Sequence, residues 1–186
     1  HEFPGGSPGG VRKQFMVQPI GYTLTTGDVP GSWPEPATLI LSPLMPDDID
    51  IMDFIDEFPE TEVALLAQGL QRVVVPDGTN AIAHRAQPSS VLLDAARPNV
   101  TIFLSREEIA LWAAGTLDHL AKRAGRVVVT DGARGATIHD RSGVRVVPPA
   151  PADPIDATGA GDVFAGAFIL GLRAGEQSAG RLAAAC

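Results

Sequence analysis

A run of small and acidic residues at 156–162, Asp-Ala-Thr-Gly-Ala-Gly-Asp, stands directly before an apolar helical pattern. Small residues allow backbone N–H groups to approach an anion closely, and the start of a helix favours negative charge. Asp162 lies where a carboxylate could accept the proton of a nucleophile that attacks the bound anion. An anion cradle beside a general base is the minimum equipment for phosphoryl transfer.

A simpler interpretation is that Asp162 only stabilises the start of the helix through the helix dipole, a contribution of about 0.3–1 kcal/mol. A helix start needs neither the Gly159-x-Gly161 pair nor a second acid, Asp156. The combination therefore favours a functional site.

A second loop with two glycines, Thr-Asp-Gly-Ala-Arg-Gly at 130–135, follows the apolar run 127–129. Ligands of parallel sheets bind beyond the carboxyl ends of strands, where this loop could offer a hydroxyl and backbone amides to a phosphate. Taken alone, the loop is an ordinary turn into a hairpin. Beside the run 156–162, phosphate binding is the better interpretation.

The apolar run 100–104 is followed by Ser-Arg-Glu-Glu, in which Ser105 and Glu108 have the spacing of a helix capping box. That structural role is sufficient by itself. Because Glu108 also follows a predicted strand, it is a candidate for orienting a hydrated metal ion near phosphates.

The elements that must position these residues follow from hydrophobic periodicity. Apolar runs predict buried strands, amphipathic patterns predict helices, and short runs around turn residues predict hairpins. The strands are expected at 38–42, 63–67, 100–104 and 126–130, the helices at 48–58 (after Pro46-Asp47), 107–124 and 161–172, and the hairpins at 72–84 and 136–147. This alternation predicts an α/β fold whose mostly parallel sheet is covered by helices on both faces.

The first 36 residues are rich in glycine and proline and differ from the regular pattern that follows. We expect residues 1–36 to be a loose linker or the remnant of a strand-and-loop lid, and residues 37–186 to be the catalytic part of an incomplete domain. The chain begins at His1 and ends at Cys186 within an alanine-rich helical pattern, so we expect a piece of a longer protein.

Composition narrows the class of protein. No apolar run reaches the length of about 18 residues that a membrane span needs, so no membrane partner is expected. The net charge of −8 argues against a nucleic-acid partner, and the single cysteine fits a reducing, cytoplasmic compartment. The sequence contains no P-loop, no Gly-x-Ser-x-Gly elbow and no histidine pair at metal-ligand spacing.

Residues 156–162, with Phe164 and Gly166 after them, resemble the C-terminal signature of the ribokinase-like (PfkB) carbohydrate kinases, usually Asp-Thr-x-Gly-Ala-Gly-Asp. Ala157 replaces the common threonine. The loop 130–135 resembles the nucleotide loop of that family, and the segment from Ser105 to Glu108 resembles its Asn-x-x-Glu motif, with serine in place of asparagine. The resemblance covers residues 38–186 and implies a three-layer αβα ribokinase-like fold.

The resemblance also implies a role for each matching residue. Asp162 would be the catalytic base, and the amides of Gly159, Ala160 and Gly161 would form the anion hole for the γ-phosphoryl group of ATP. The other matching residues would hold phosphates and metal ions: Thr130, Gly132 and Gly135 the nucleotide phosphates, Asp156 and Thr158 a K⁺ ion, and Glu108, indirectly, Mg²⁺.

We therefore predict an ATP-dependent phosphotransferase that acts on a hydroxyl of a sugar or related polyol, with a homodimer through a lid that is missing from this chain. The sugar-binding Gly-Gly-x-x-x-Asn motif of the family is not assigned, because Gln14 stands where asparagine would be. A nucleoside kinase of the same family and a non-catalytic nucleotide-binding or regulatory protein remain alternatives. A Rossmann oxidoreductase is disfavoured, because Gly159-x-Gly161 lacks a third glycine.

Overall fold

The computed structural model describes residues 14–18, 21–151, 159–175, 179, 180 and 183. Within them the chain forms eight strands and four α-helices. The strands are β1 Thr38–Leu41, β2 Glu62–Leu66, β3 Arg72–Val74, β4 Ile82–His84, β5 Val100–Ser105, β6 Arg126–Thr130, β7 Ala136–Asp140 and β8 Gly143–Val147. The helices are α1 Ile51–Glu57, α2 Ser90–Asp94, α3 Thr116–Arg123 and α4 Ala160–Arg173.

A six-stranded sheet in the order β1-β2-β5-β6-β7-β8 forms the centre of the fold. The first four of these strands are parallel, and β7 and β8 continue the sheet as an antiparallel hairpin. The carboxyl ends of β1, β2, β5 and β6 therefore meet at one edge of the sheet, which we call the carboxyl edge. The opposite edge is called the amino edge.

Hydrophobic cores cover both faces of this sheet. Helices α1, α2 and α3 pack on one face, where Ile55, Leu92 and Leu120 are fully buried. Helix α4 packs on the other face, where Phe168 lies against Phe103 of β5 with ring centroids 5.6 Å apart. Because both faces are covered, the central strands are apolar without alternation, and the three-layer αβα arrangement predicted from the sequence is confirmed.

A small sheet stands beside the main one. β3 and β4 pair antiparallel, as predicted for the first hairpin, and the segment 14–16 adds to its outer edge. Met16 N donates to Asn80 O and Ile82 N donates to Gln14 O, both at 2.9 Å. This part of the glycine- and proline-rich stretch is thus paired with the hairpin.

The start of α1 differs from the prediction. The helix begins at Ile51 rather than at 48, because Asp50 is its N-cap and accepts a hydrogen bond from Asp53 N at 3.1 Å. Asp48 instead closes the preceding turn, where its carboxylate accepts from the backbone of Leu44 and Met45.

The helix predicted at 107–124 is wrong in its first half. Only α3 is helical, and the residues from 106 to 111 form turns. Gly115 stands at the N-cap of α3 with a left-handed φ of 84°, a conformation that stops a helix from continuing through it. The apolar residues Ile109 and Trp112 pack on the core from this non-helical segment, which imitates helical spacing.

Helix α2 was not predicted. It is one short turn, capped by Ser89, whose hydroxyl accepts from Leu92 N at 3.2 Å. Among the described residues, no helix is both long enough and apolar enough to span a membrane.

Candidate functional site

The loops after β5 and β6 lie side by side at the carboxyl edge. Ser105 and Thr130 are direct neighbours in the parallel register, and Arg106 N donates to Thr130 O at 2.8 Å. Two of the three predicted site segments are thus in contact.

Glu108 is held inside the loop after β5. Its carboxylate accepts from Ser105 N at 2.9 Å, and Ser105 Oγ accepts from Glu108 N at 3.3 Å, so the capping box forms, although turns rather than a helix follow it. The side chain is 8% exposed, and burial raises the pKa of the carboxyl group against the hydrogen bonds from Ser105.

The loop 131–135 closes on itself. Asp131 N donates to Gly135 O at 2.7 Å around a short 3₁₀ turn, Gly132–Arg134. Gly135 has φ 88° and ψ −139°, and a Cβ there would lie 2.2 Å from Val147 O. Both the backbone angles and the close approach require glycine at this position. Thr130 Oγ1 donates to Leu104 O across a long distance of 3.4 Å.

Two arginines, Arg106 and Arg134, contact the carboxylate of Asp131 at the carboxyl edge. Arg134 Nε and Nη2 donate to its two carboxylate oxygens at 3.0 and 2.6 Å, and Arg106 Nε lies 3.8 Å from Oδ2. The hydrogen bond from Arg134 is the main cause that holds the pKa of Asp131 below its usual range. Sequence reasoning missed this cluster, although the Asp–Arg spacing of three residues within the loop was a signal for the closer pair.

Helix α4 runs antiparallel to the strands. Arg173, its last residue, donates to the hydroxyl of Thr38, the first residue of β1, at 2.7 Å. Gly166, about two helical turns before Arg173, lines a groove together with Ile40 of β1. Fourteen residues span about 21 Å, more than the strand they cross, so the N-terminus of α4 reaches the carboxyl edge.

That N-terminus carries the predicted anion hole and base. Gly159 is the N-cap with φ 81°, and Val163 N closes the first helical hydrogen bond to Gly159 O at 3.0 Å. The N–H groups of Ala160, Gly161 and Asp162 have no intrahelical acceptor by geometry, and a Cβ at Gly159 or Gly161 would meet nothing within 4 Å. Asp162 is exposed in the first turn.

Of the three residues predicted to hold metal ions, the structure describes Glu108. Asp156 and Thr158 lie outside the described residues. In the part that is described, no group of three or more His, Cys, Asp and Glu side chains forms a metal cage. Glu108 alone therefore fits only an indirect role, because Mg²⁺ commonly keeps its waters and binds through substrate phosphates with one or two carboxylates.

The family of this protein follows from the similarity of its sequence to a known protein family. Residues 65–186 match the model of the "pfkB family carbohydrate kinase". The chain belongs to this family. A 53-residue stretch is 43% identical to the ribokinase of Lactococcus lactis subsp. lactis (strain IL1403), covering 28% of this chain and 18% of that protein.

Solved structures agree on the ribokinase-like fold. A nucleoside kinase of Burkholderia thailandensis in complex with inosine matches with a TM-score of 0.58 and 24% identity over 83% of this chain and 49% of that one. A pyrophosphate-dependent kinase in the ribokinase family, complexed with a pyrophosphate analog and myo-inositol, matches with a TM-score of 0.74 and 16% identity, over 94% of this chain and 64% of that one. The chain thus spans about half to two thirds of the length of these structures.

Proposed function

We propose that this PfkB-family chain carries the phosphoryl-transfer part of an ATP-dependent kinase whose acceptor is a hydroxyl of a sugar or related polyol. The observation that carries the proposal is the direction of α4, which brings Gly159–Asp162 to the edge where the loops after β5 and β6 end. The family description supports a carbohydrate as acceptor.

The proposed reaction is a direct displacement at the terminal phosphorus of the donor. Asp162 takes the proton of the acceptor hydroxyl as its oxygen bonds to phosphorus, and the bond from phosphorus to the leaving phosphate oxygen breaks. The amides of Gly159, Ala160 and Gly161 stabilise the charge on the transferring group. Thr130, Gly132 and Gly135 hold the remaining donor phosphates.

Metal ions complete the proposed site. Mg²⁺, bound on the donor phosphates, would neutralise charge that builds up during transfer, and Glu108 would orient its water ligands. Asp156 and Thr158 would hold a K⁺ ion next to the anion hole. The hairpin β3–β4 with residues 14–16 would form part of a lid over the acceptor.

The base assignment is tested with Asp162→Asn. Loss of the proton acceptor should lower turnover by about 10²–10⁴-fold, while donor binding measured by calorimetry stays close to that of the wild type. The matched control is Asp118→Asn, which also removes an acid from the first turn of a helix, α3, but at a cavity lined by Asp140 and Gly143 at the turn between β7 and β8. Turnover by Asp162→Asn equal to that of the control would refute the assignment.

The acceptor is tested by a panel of candidate substrates with the wild-type protein. Pentoses, hexoses and myo-inositol are compared with inosine, because both inosine- and inositol-bound kinases share the fold. A preference for inosine would make the chain part of a nucleoside kinase. Donor binding without turnover of any acceptor would favour the non-catalytic alternative.

A further inference from the structure

We propose that Arg106 and Arg134 bind the polyphosphate of the phosphoryl donor, and that the Asp131 carboxylate occupies the anion site beside their guanidinium groups until the donor displaces it. The inference rests on the proposed function, because it extends the donor site from the backbone of the loop 130–135 to two side chains. The ligand chemistry is a polyphosphate, whether a nucleoside triphosphate or inorganic pyrophosphate.

The first argument is convergence. The two arginines come from loops after different strands, β5 and β6, yet both reach the carboxylate of Asp131 at distances of 2.6–3.8 Å. Arg134 grips it with a two-pronged geometry that suits a carboxylate and a phosphate equally. The Asp131 carboxylate therefore occupies an anion site that already has its cations in position.

The second argument is accessibility. The side chains of Arg134 and Arg106 are 78% and 47% exposed, whereas that of Asp131 is 23% exposed. A donor arriving from solvent meets the arginines first. Because exposed ion pairs contribute little to stability, breaking the pairs with Asp131 costs little. A polyphosphate carries more negative charge than one carboxylate, so it attracts the two arginines more strongly.

The third argument is the charge of the whole molecule. An acidic chain with 22 acidic and 14 basic residues repels polyanions at long range. Local cations at the carboxyl edge compensate for this repulsion where the donor must bind. The closed backbone of 131–135 keeps the loop fixed, so only side chains need to move.

Calorimetric titration of the protein with Mg-ATP and with Mg-pyrophosphate tests the inference. Arg106→Gln and Arg134→Gln should each weaken polyphosphate binding by about ten- to hundredfold, the usual effect of losing a charge-assisted hydrogen bond. Asp131→Asn should bind at least as tightly as the wild type, because the internal competitor is removed. Thermal melting verifies that every variant folds.

The matched control is Arg145→Gln. Arg145 forms the same kind of exposed pair, 2.6 Å from Asp140, but at the amino edge. Arginine variants that bind within twofold of this control would overturn the inference. So would an Asp131→Asn variant as weak as the arginine variants, or a wild type that binds neither titrant.

The two titrants separate the sources of the ligand. Equal loss for both places the arginines on the phosphates that both donors share, and loss for one alone identifies that donor. The inference and the proposed function can fail separately. Normal acceptor turnover with an unchanged donor KM in both arginine variants overturns only the inference, whereas weakened donor binding without any acceptor turnover overturns only the function.

Discussion

At the scale of single residues, the site depends on positions where a side chain would be harmful as well as on reactive groups. Gly135 lies in a region of backbone space that is essentially restricted to glycine, and its neighbours leave no room for a Cβ. Asp162 differs in that it is exposed in the first turn of α4, a property that its proposed role as base requires.

Gly135→Ala should lower the free energy of unfolding by at least about 1–3 kcal/mol, because strain in the backbone adds to the clash with Val147 O. Urea unfolding followed by circular dichroism measures the change. Gly31→Ala is the control, since a Cβ there meets nothing within 4 Å. A Gly135→Ala variant as stable as this control would contradict the structural argument.

At the scale of elements, α4 carries most of the apolar contact on its face of the sheet. Phe168 is 1% exposed and contacts both Phe103 and Phe164, with the two ring pairs edge-on and stacked. The same packing that stabilises the fold sets the position of Gly159–Asp162, so the proposed function depends on the helix that also stabilises the protein.

Phe168→Ala should destabilise the protein by about 3–5 kcal/mol, the usual cost of removing a buried aromatic side chain. The urea midpoint reports the loss. Leu170→Ala, two residues farther along the same helix and 69% exposed, should change stability by less than about 0.5 kcal/mol. Similar losses for both variants would mean that α4 does not pack as described.

At the scale of the whole molecule, stability should depend on pH through partly buried histidines. Burial lowers the pKa of His139 and of His84 below the value in an unfolded chain, about 6.5. The unfolded state therefore binds protons more readily than the folded state in this range. The contribution of each neutral histidine is fully present above pH 6.5 and is lost as pH falls through the lower folded-state pKa.

His139→Gln should flatten the decrease in urea midpoint between pH 7 and pH 5 relative to the wild type. His119→Gln is the matched control, because it makes the same substitution at a histidine on the exposed side of α3. An unchanged slope in His139→Gln would show that this histidine does not contribute to the acid sensitivity.

The sequence predicts the sheet well and the helices less well, for physical reasons. A strand buried on both faces leaves a continuous apolar run, and the strand β6 matches its predicted bounds, 126–130. Helical spacing is less decisive, because a non-helical segment can also place Ile109 and Trp112 on a core. Gly115 ends the pattern, but its left-handed backbone only becomes evident in the structure.

The candidate site shows the same division. Glycines and acids at fixed spacing are what makes Gly159–Asp162 and the loop 130–135 candidates in the sequence. The approach of Arg106 to Asp131 depends on the pairing of β5 with β6, which spacing along the chain does not encode. Likewise, the direction of α4 follows from the contact of Arg173 with Thr38, residues that are 135 positions apart.

The contact of Arg173 with Thr38 also fixes the C-terminal end of α4 at the amino edge, so a tilt of the helix would pivot there. The helix is held at Arg173, and Asp162 lies near its opposite end, about 16 Å away at a rise of 1.5 Å per residue. A tilt of about 3° around Arg173 displaces Asp162 by about 1 Å. A misalignment of reacting groups by that distance can lower the rate by about 10²-fold. A small change in packing at the amino edge would therefore cause a larger displacement of Asp162, where the proposed chemistry would occur.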